Sequence, residues 1–172
     1  MKQIGLFWHV HHGILLEWCH SYNERAVYIR MEKEASELVL RLRLFRPVKG
    51  NLPDDVQKAG SVCGTAWAVF VETRAARDKA EAALDAASSI VNSALSTGWN
   101  AAILIAARSA RDGARVAYQM SQAVCDEAQA SYSHAANAFD RVCVEHRPAI
   151  EALHKAECPD CPWDGHTIFP EA

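Results

Sequence analysis

Residues 54–98 read DDVQKAGSVCGTAWAVFVETRAARDKAEAALDAASSIVNSALSTG, and their spacing decides the fold. Pro53 followed by Asp54 and Asp55 marks a helix start, because proline suits the first turn and acidic side chains face the positive end of the helix dipole. From there Val62, Ala66, Val69, Thr73, Ala76, Ala80, Ala83, Ala87, Ile90 and Ala94 follow at alternating steps of four and three. That rhythm keeps one stripe turned toward a partner helix, and here the stripe is built of small residues. Gly98, after Ser96-Thr97, is the natural left-handed residue to end the helix.

A second register begins after Asn100. Tyr118, Cys125, Tyr132, Phe139, His146 and Leu153 recur every seventh residue, with Ser121, Ala128, Ala135, Val142 and Ala149 three residues behind the first five. The two segments, roughly 54–96 and 100–146, are nearly equal in length, so they predict an antiparallel helical hairpin about 60 Å long at 1.5 Å per residue. The fold class is therefore mainly α: an Ala-rich coiled-coil stalk on a small head made by both chain ends, with minor β structure in the head. Residues 1–53 supply the first part of the head, 54–146 the stalk and 147–172 a tail that completes the head. An Ala-rich pair buries little apolar area, which predicts a homo-oligomer, most simply a dimer, or a protein partner.

Working outward, Ile14 to Lys33 places Leu15, Trp18, Tyr22, Ala26 and Ile29 on one face at helical spacing, and is expected to be a helix. Glu34 to Val48 admits two readings. Leu38, Leu40, Leu42 and Leu44 alternate as in a strand, whereas Leu38, Leu42 and Phe45 fit a helix, and the Leu/Arg content favours the helix. Ile4 to Val10 is extended, and would pair with 38–45 if that segment were a strand. Pro148 ends or kinks the second long helix near His146 and opens a short last one.

The tail carries the chemistry. In His154-Lys-Ala-Glu-Cys158-Pro-Asp-Cys161-Pro-Trp-Asp-Gly-His166 a Cys-x-x-Cys lies between two histidines. Two thiolates at that spacing can approach one ion, and zinc prefers such a tetrahedral, sulfur-rich set. Cys158, Cys161 and His154 are the expected ligands, with His166 or His12 as the fourth. The competing readings are a redox pair, against which stand Pro159, Pro162 and an all-helical chain, and a simple disulfide or an accidental spacing. Trp163, Ile168 and Phe169 are too few to order the tail without a staple, so the metal is expected to be structural. These three are expected to pack on the face carrying Leu15, Trp18 and Tyr22.

Two further clusters invite functional readings. His9, His11 and His12, with His20, are half of the chain's eight histidines; in an extended segment His9 and His11 point the same way, as a metal-activating hydrolase would need. Alternatively they line the surface or serve the tail's metal. Arg41, Arg43, Arg46 and Lys49 form the only basic cluster, within a stretch (25–49) of seven Lys or Arg against three Glu. It can meet a phosphate, a nucleic acid or an acidic partner, or simply form ion pairs on a solvated face.

The net charge of −3 gives no general field for nucleic acid or anionic lipid. The longest uncharged apolar run, Trp99 to Ala107, is about half of what a membrane span needs. Histidines interrupt the apolar start and no small-residue cleavage site follows, so a cytoplasmic protein without membrane association is expected.

His11-His12, the segment Leu40-Arg-Leu-Arg-Leu-Phe-Arg-Pro-Val48 and the ending Cys158-Pro-Asp-Cys161-Pro-Trp-Asp-Gly-His-Thr-Ile-Phe169 resemble a set of small uncharacterised proteins from bacteriophages and bacterial genomes. In that group a similar head and a Cys-Pro-x-Cys-Pro-Trp tail bracket an Ala/Tyr-rich helical middle of varying length. The likeness covers roughly residues 1–58 and 150–170, and the tail is its most specific part. It implies a phage or bacterial origin and the head-and-stalk partition, and it carries no activity and no residue role. The expected function is a non-enzymatic binding or assembly protein; the alternatives are a metal-dependent hydrolase or nucleic-acid-binding protein, and a sponge for a small nucleotide signal.

Overall fold

Two long helices, α3 (Asp54–Ser96) and α4 (Ala101–Glu145), form an antiparallel hairpin in the computed structural model, which describes residues 3–169. Ahead of them lie β1 (Gly5–Trp8), β2 (Leu16–Cys19), α1 (Tyr22–Glu32), α2 (Ala35–Leu44) and β3 (Arg46–Pro47), and α5 (Arg147–Glu157) follows. The hairpin turn is made by local chemistry. Gly98 adopts φ 69°, open to the left-handed region that a side chain disfavours, and the Trp99 N–H reaches back to the Ala94 carbonyl at 3.2 Å. Asn100 then caps α4 by accepting from the Ile103 N–H at 3.0 Å. Among the described residues no helix is long and apolar enough to cross a membrane.

The chain divides into two compact units, residues 66–133 and the combination of 1–65 with 134–172. Within residues 66–133 the partners climb on one helix as they fall on the other. Trp67 meets Tyr132 edge-on at 5.0 Å and Phe70 stacks on the same ring at 6.2 Å, while Val91, Ala94, Cys125 and Ala128 are buried. On α4 the packed positions are those the seven-residue spacing predicts, Tyr118, Ser121, Cys125, Ala128 and Tyr132. On α3 half of the expected stripe faces the partner (Ala66, Thr73, Ala80, Ala87, Ala94), and the other half does not. Val69, Ala76, Ala83 and Ile90 are exposed, and their neighbours Phe70, Arg77, Leu84 and Val91 turn inward. Both rows repeat every seven residues; the inward one wins because Phe70, Leu84 and Val91 remove more apolar surface from water than Val69, Ala83 and Ile90.

The other unit is built around a sheet of order β2-β1-β3, antiparallel throughout, with Leu6 opposite Trp18, Trp8 opposite Leu16, and Trp8 opposite Arg46. Phe7, Val10, Cys19, Ala26, Ile29 and Phe45 form its core, joined by Tyr22, Leu38 and Leu42. The expected helix over 14–33 is corrected here: its first part is strand β2, and the helix starts only at Tyr22. The Ser21 hydroxyl caps it by accepting from the Glu24 N–H at 3.3 Å, so Ser21-Tyr-Asn-Glu24 was the start signal that the apolar spacing concealed. The helical reading of 34–48 holds for residues 35–44, and the strand reading of 38–45 does not; the pairing with β1 is made instead by the two residues after Phe45.

Trp18 lies against the start of α3, where glycine is required: a Cβ on Gly64 would enter the Trp18 ring, and one on Gly60 would crowd Leu6 and Trp18. Phe169 meets Arg41 and His12, Trp163 meets His9, and Ile168 is fully buried. The tail thus meets the first fifty residues at His9, His12 and Arg41, and Trp163 lines one cavity with Leu15.

Candidate metal centre

β1 ends at Trp8, and the next residue, His9, takes φ 52°. A left-handed histidine costs on the order of 1–3 kcal/mol, and it persists here because its N–H bonds the Leu15 carbonyl at 3.1 Å and its ring is packed on both sides. The kink separates His9 from His11, so the two do not act as a pair. His9 is buried, and His11 is exposed with its Nδ1 on Glu17 at 2.9 Å.

From the opposite end of the chain α5 brings His154 in its last turn, and the turn that follows, closed by the Cys161 N–H on the Cys158 carbonyl at 3.0 Å, delivers Cys161. His9 Nε2 lies 2.9 Å from His154 Nε2 and 3.3 Å from Cys161 Sγ. All three donor atoms lie within 4.8 Å of one another, and among the described residues this is the group able to hold a metal ion. Zinc bonded to nitrogen at about 2.0–2.1 Å and sulfur at about 2.3 Å in a tetrahedron would set these atoms roughly 3.3–3.6 Å apart. The observed spacings are a few tenths of an ångström shorter, which small side-chain rotations recover.

The surroundings suit neutral imidazoles. Burial pushes the His9 pKa down to about 4, helped by the neighbouring His154 and opposed by the Ile14 backbone. His154 is lowered as well, first by burial and then by the Arg46 charge. A lone pair is therefore free for a metal on each ring at neutral pH. The frame is rigid: Trp8 packs edge-on against His154 at 5.2 Å and donates through Nε1 to Glu157 at 2.9 Å, and Glu157 also accepts from the Lys49 N–H at 3.1 Å. Burial opposes ionisation of Glu157, but these donors outweigh it and hold its pKa low.

Of the residues the sequence singles out, His154 and Cys161 are in the group. Cys158 is buried beside it, with Arg46 Nε donating to its Sγ at 3.2 Å. His12 and His166 lie outside the group: His12 is exposed with its carbonyl bonded by Ile168, and the exposed His166 gives its N–H to Asp164. His9 takes the place that His12 was expected to fill, because the turn after β1 directs residue 9 inward and residue 12 outward. The basic cluster is divided. Arg41 is buried, paired with Glu37 at 2.6 Å, and Arg46 faces Cys158, which leaves Arg43 and Lys49 exposed. A cavity of about 500 Å³ is lined by His154, Cys158 and Cys161 together with Arg147, Glu151 and Trp163.

No protein-family model, curated protein or solved structure matches this chain. The chemistry of the site therefore rests on its own geometry.

Proposed function

We propose that this is a non-enzymatic binding or assembly protein, a cytoplasmic accessory protein of phage or bacterial origin, whose chain ends are fastened by zinc. His9, His154 and Cys161 are three of the ligands and Cys158 is the fourth. The observation that carries the reading is the convergence of three soft, neutral donors from positions 145 and 152 residues apart in sequence. Two imidazoles and two thiolates suit zinc, and the pair of thiolates balances its charge. Cys158 reaches the ion by rotating its side chain, and Arg46 then remains as a donor to the bound sulfur, the outer support that metal-bound thiolates commonly have. A closed set of four side chains leaves no position for water, which is why the role is structural.

The cavity lined by His154 and Cys161 favours one second reading, a metal-dependent hydrolase. If Cys158 stays with Arg46, the fourth position holds water and Glu151 is the nearby carboxylate. The exposed part of the basic cluster is reduced to Arg43 and Lys49, which weakens the nucleic-acid and nucleotide-sponge readings. Cobalt substitution separates the two main readings, since sulfur-to-cobalt charge-transfer absorption reports bound thiolates. Cys158→Ser and Cys161→Ser should each remove about half of that band. A Cys158→Ser protein with an undiminished band would mean an open coordination position and favour the hydrolase.

A further inference from the structure

Between Asp85 and Arg108 the chain carries no charged residue, and this stretch makes the tip of the hairpin. The register, with Trp67 and Phe70 both on Tyr132, sets Arg108 roughly level with Val91, about 13 Å from the turn at 1.5 Å per residue. From that level to the turn both helices are free of charge. Leu95, Trp99, Ile103 and Ile105 stand within about 8 Å of the turn and are exposed, at 54 %, 45 %, 45 % and 67 %. Much of the turn's polarity is satisfied inside the hairpin. The Ser96 and Thr97 hydroxyls donate to the Ser93 carbonyl at 3.0 and 2.7 Å, the Trp99 N–H donates to the Ala94 carbonyl at 3.2 Å, and Asn100 Oδ1 accepts from the Ile103 N–H at 3.0 Å. The exposed Asn92 lies near the Arg108 level, at the edge of this cap.

We infer that this cap is a membrane-interface anchor, which enters one leaflet of a lipid bilayer as far as Arg108. The inference names a partner for the binding role proposed above and rests on that reading. Direction decides the kind of partner. Ile103 and Ile105 are two residues apart, so at about 100° per residue they stand roughly 200° apart around α4, with the half-buried Leu104 between them. A flat face on a second copy or on another protein covers one of them and leaves the other in water, whereas acyl chains surround both. Depth agrees with this. Helical elements at a bilayer surface sink their apolar residues about 5–10 Å into the boundary of headgroups and acyl chains, which takes in all four side chains and leaves Arg108, on its long stem, at the phosphates. Backbone bonds closed within the helices and the turn let the cap leave water at small cost, and tryptophan favours that boundary. Among the described residues no helix is long and apolar enough to cross a membrane, and a cap that enters one leaflet does not need one. Span length and net charge, on which no membrane association was expected, govern crossing and long-range attraction and not this contact.

Flotation of the full-length protein with phosphatidylcholine vesicles tests this, with zinc content read on the same samples. The wild type should float with the vesicles and stay with them at high salt, because no charge holds the cap. Leu95→Gln with Ile105→Gln, in which glutamine keeps helix propensity, should weaken binding at least about tenfold with helicity and zinc unchanged. Trp99→Phe should still bind, and the blue shift of tryptophan emission that vesicles cause in the wild type should disappear. Val116→Gln, at an exposed position of α4 about 25 Å from the turn, should bind as the wild type does. A wild type that does not float overturns the inference, as does a helical Leu95→Gln, Ile105→Gln protein that floats like the wild type, or a blue shift that persists without Trp99. Binding that appears only when phosphatidylglycerol is added and vanishes in salt also overturns it, since charge then carries the contact. If the wild type ignores vesicles and the double variant loses a bound protein, a protein socket covers the tip and the inference is overturned. Zinc without flotation sinks the membrane cap alone; flotation without zinc sinks the zinc reading alone.

Discussion

The unit containing both chain ends and the unit of residues 66–133 are stabilised by different means. The first encloses Phe7, Trp8, Phe45, Ile29 and Ile168 almost completely, around a sheet whose strands are paired across the sequence. The second has Val91, Ala94, Cys125 and Ala128 as its buried residues, and nearly all its backbone bonds lie within two helices. Dense aromatic packing makes the first unit intolerant of added volume and dependent on remote segments. The second draws on helix propensity, so its sequence is permissive and its structure local.

Truncation should break the comparison most severely. Removing residues 158–172 takes away Cys158, Cys161 and Ile168 at once, so amide protection over residues 5–47 should be lost while the long helices persist by circular dichroism. Protection unchanged in that segment would mean that the chain ends are independent.

A pair of glycine substitutions sharpens the difference. Gly64→Val drives a side chain into Trp18 and should cost roughly 1–3 kcal/mol in thermal melts. Gly113→Ala, in α4 with nothing within 4 Å of the added methyl, should stabilise by about 0.5–1 kcal/mol, because glycine is the poorer helix former. Equal effects of the two would remove the distinction between packed and permissive units.

The hairpin was legible because its signals are local. Pro53-Asp54-Asp55 starts α3 at Asp54, Gly98 turns the chain, and Pro148 sits in the first turn of α5. Which of two adjacent rows of α3 faces inward was not legible, since both repeat every seven residues and only the relative bulk of Phe70, Leu84 and Val91 separates them. In the site, Cys161 and His154 follow from spacing, but His9 does not. Its inward aim depends on a left-handed turn and on a strand pairing that the helical spacing of Leu15, Trp18 and Tyr22 disguised. The signal for that strand was Ser21-Tyr-Asn-Glu24, a cap that cannot lie inside a helix running from 14 to 33.

The smallest expected effect is the pH dependence of the first unit. Burial pushes His9 and His20 down to about 4, whereas in the unfolded chain each titrates near 6.5. Between those values the unfolded state binds more protons, so stability is fully present above about pH 6.5 and declines as the pH falls toward 4. Melting temperatures of the metal-free protein measured from neutral to mildly acidic pH should fall in that window and stay level above it. A melting temperature that rises on acidification would contradict the buried neutral histidines.

Zinc analysis of the purified protein and two histidine variants tests the central claim most directly. Under reducing conditions the wild type and His12→Gln should each hold about one zinc per chain, and His9→Gln should lose it. A wild type that binds no zinc at micromolar concentration, or a His9→Gln protein that keeps its zinc while His12→Gln releases it, would contradict the account.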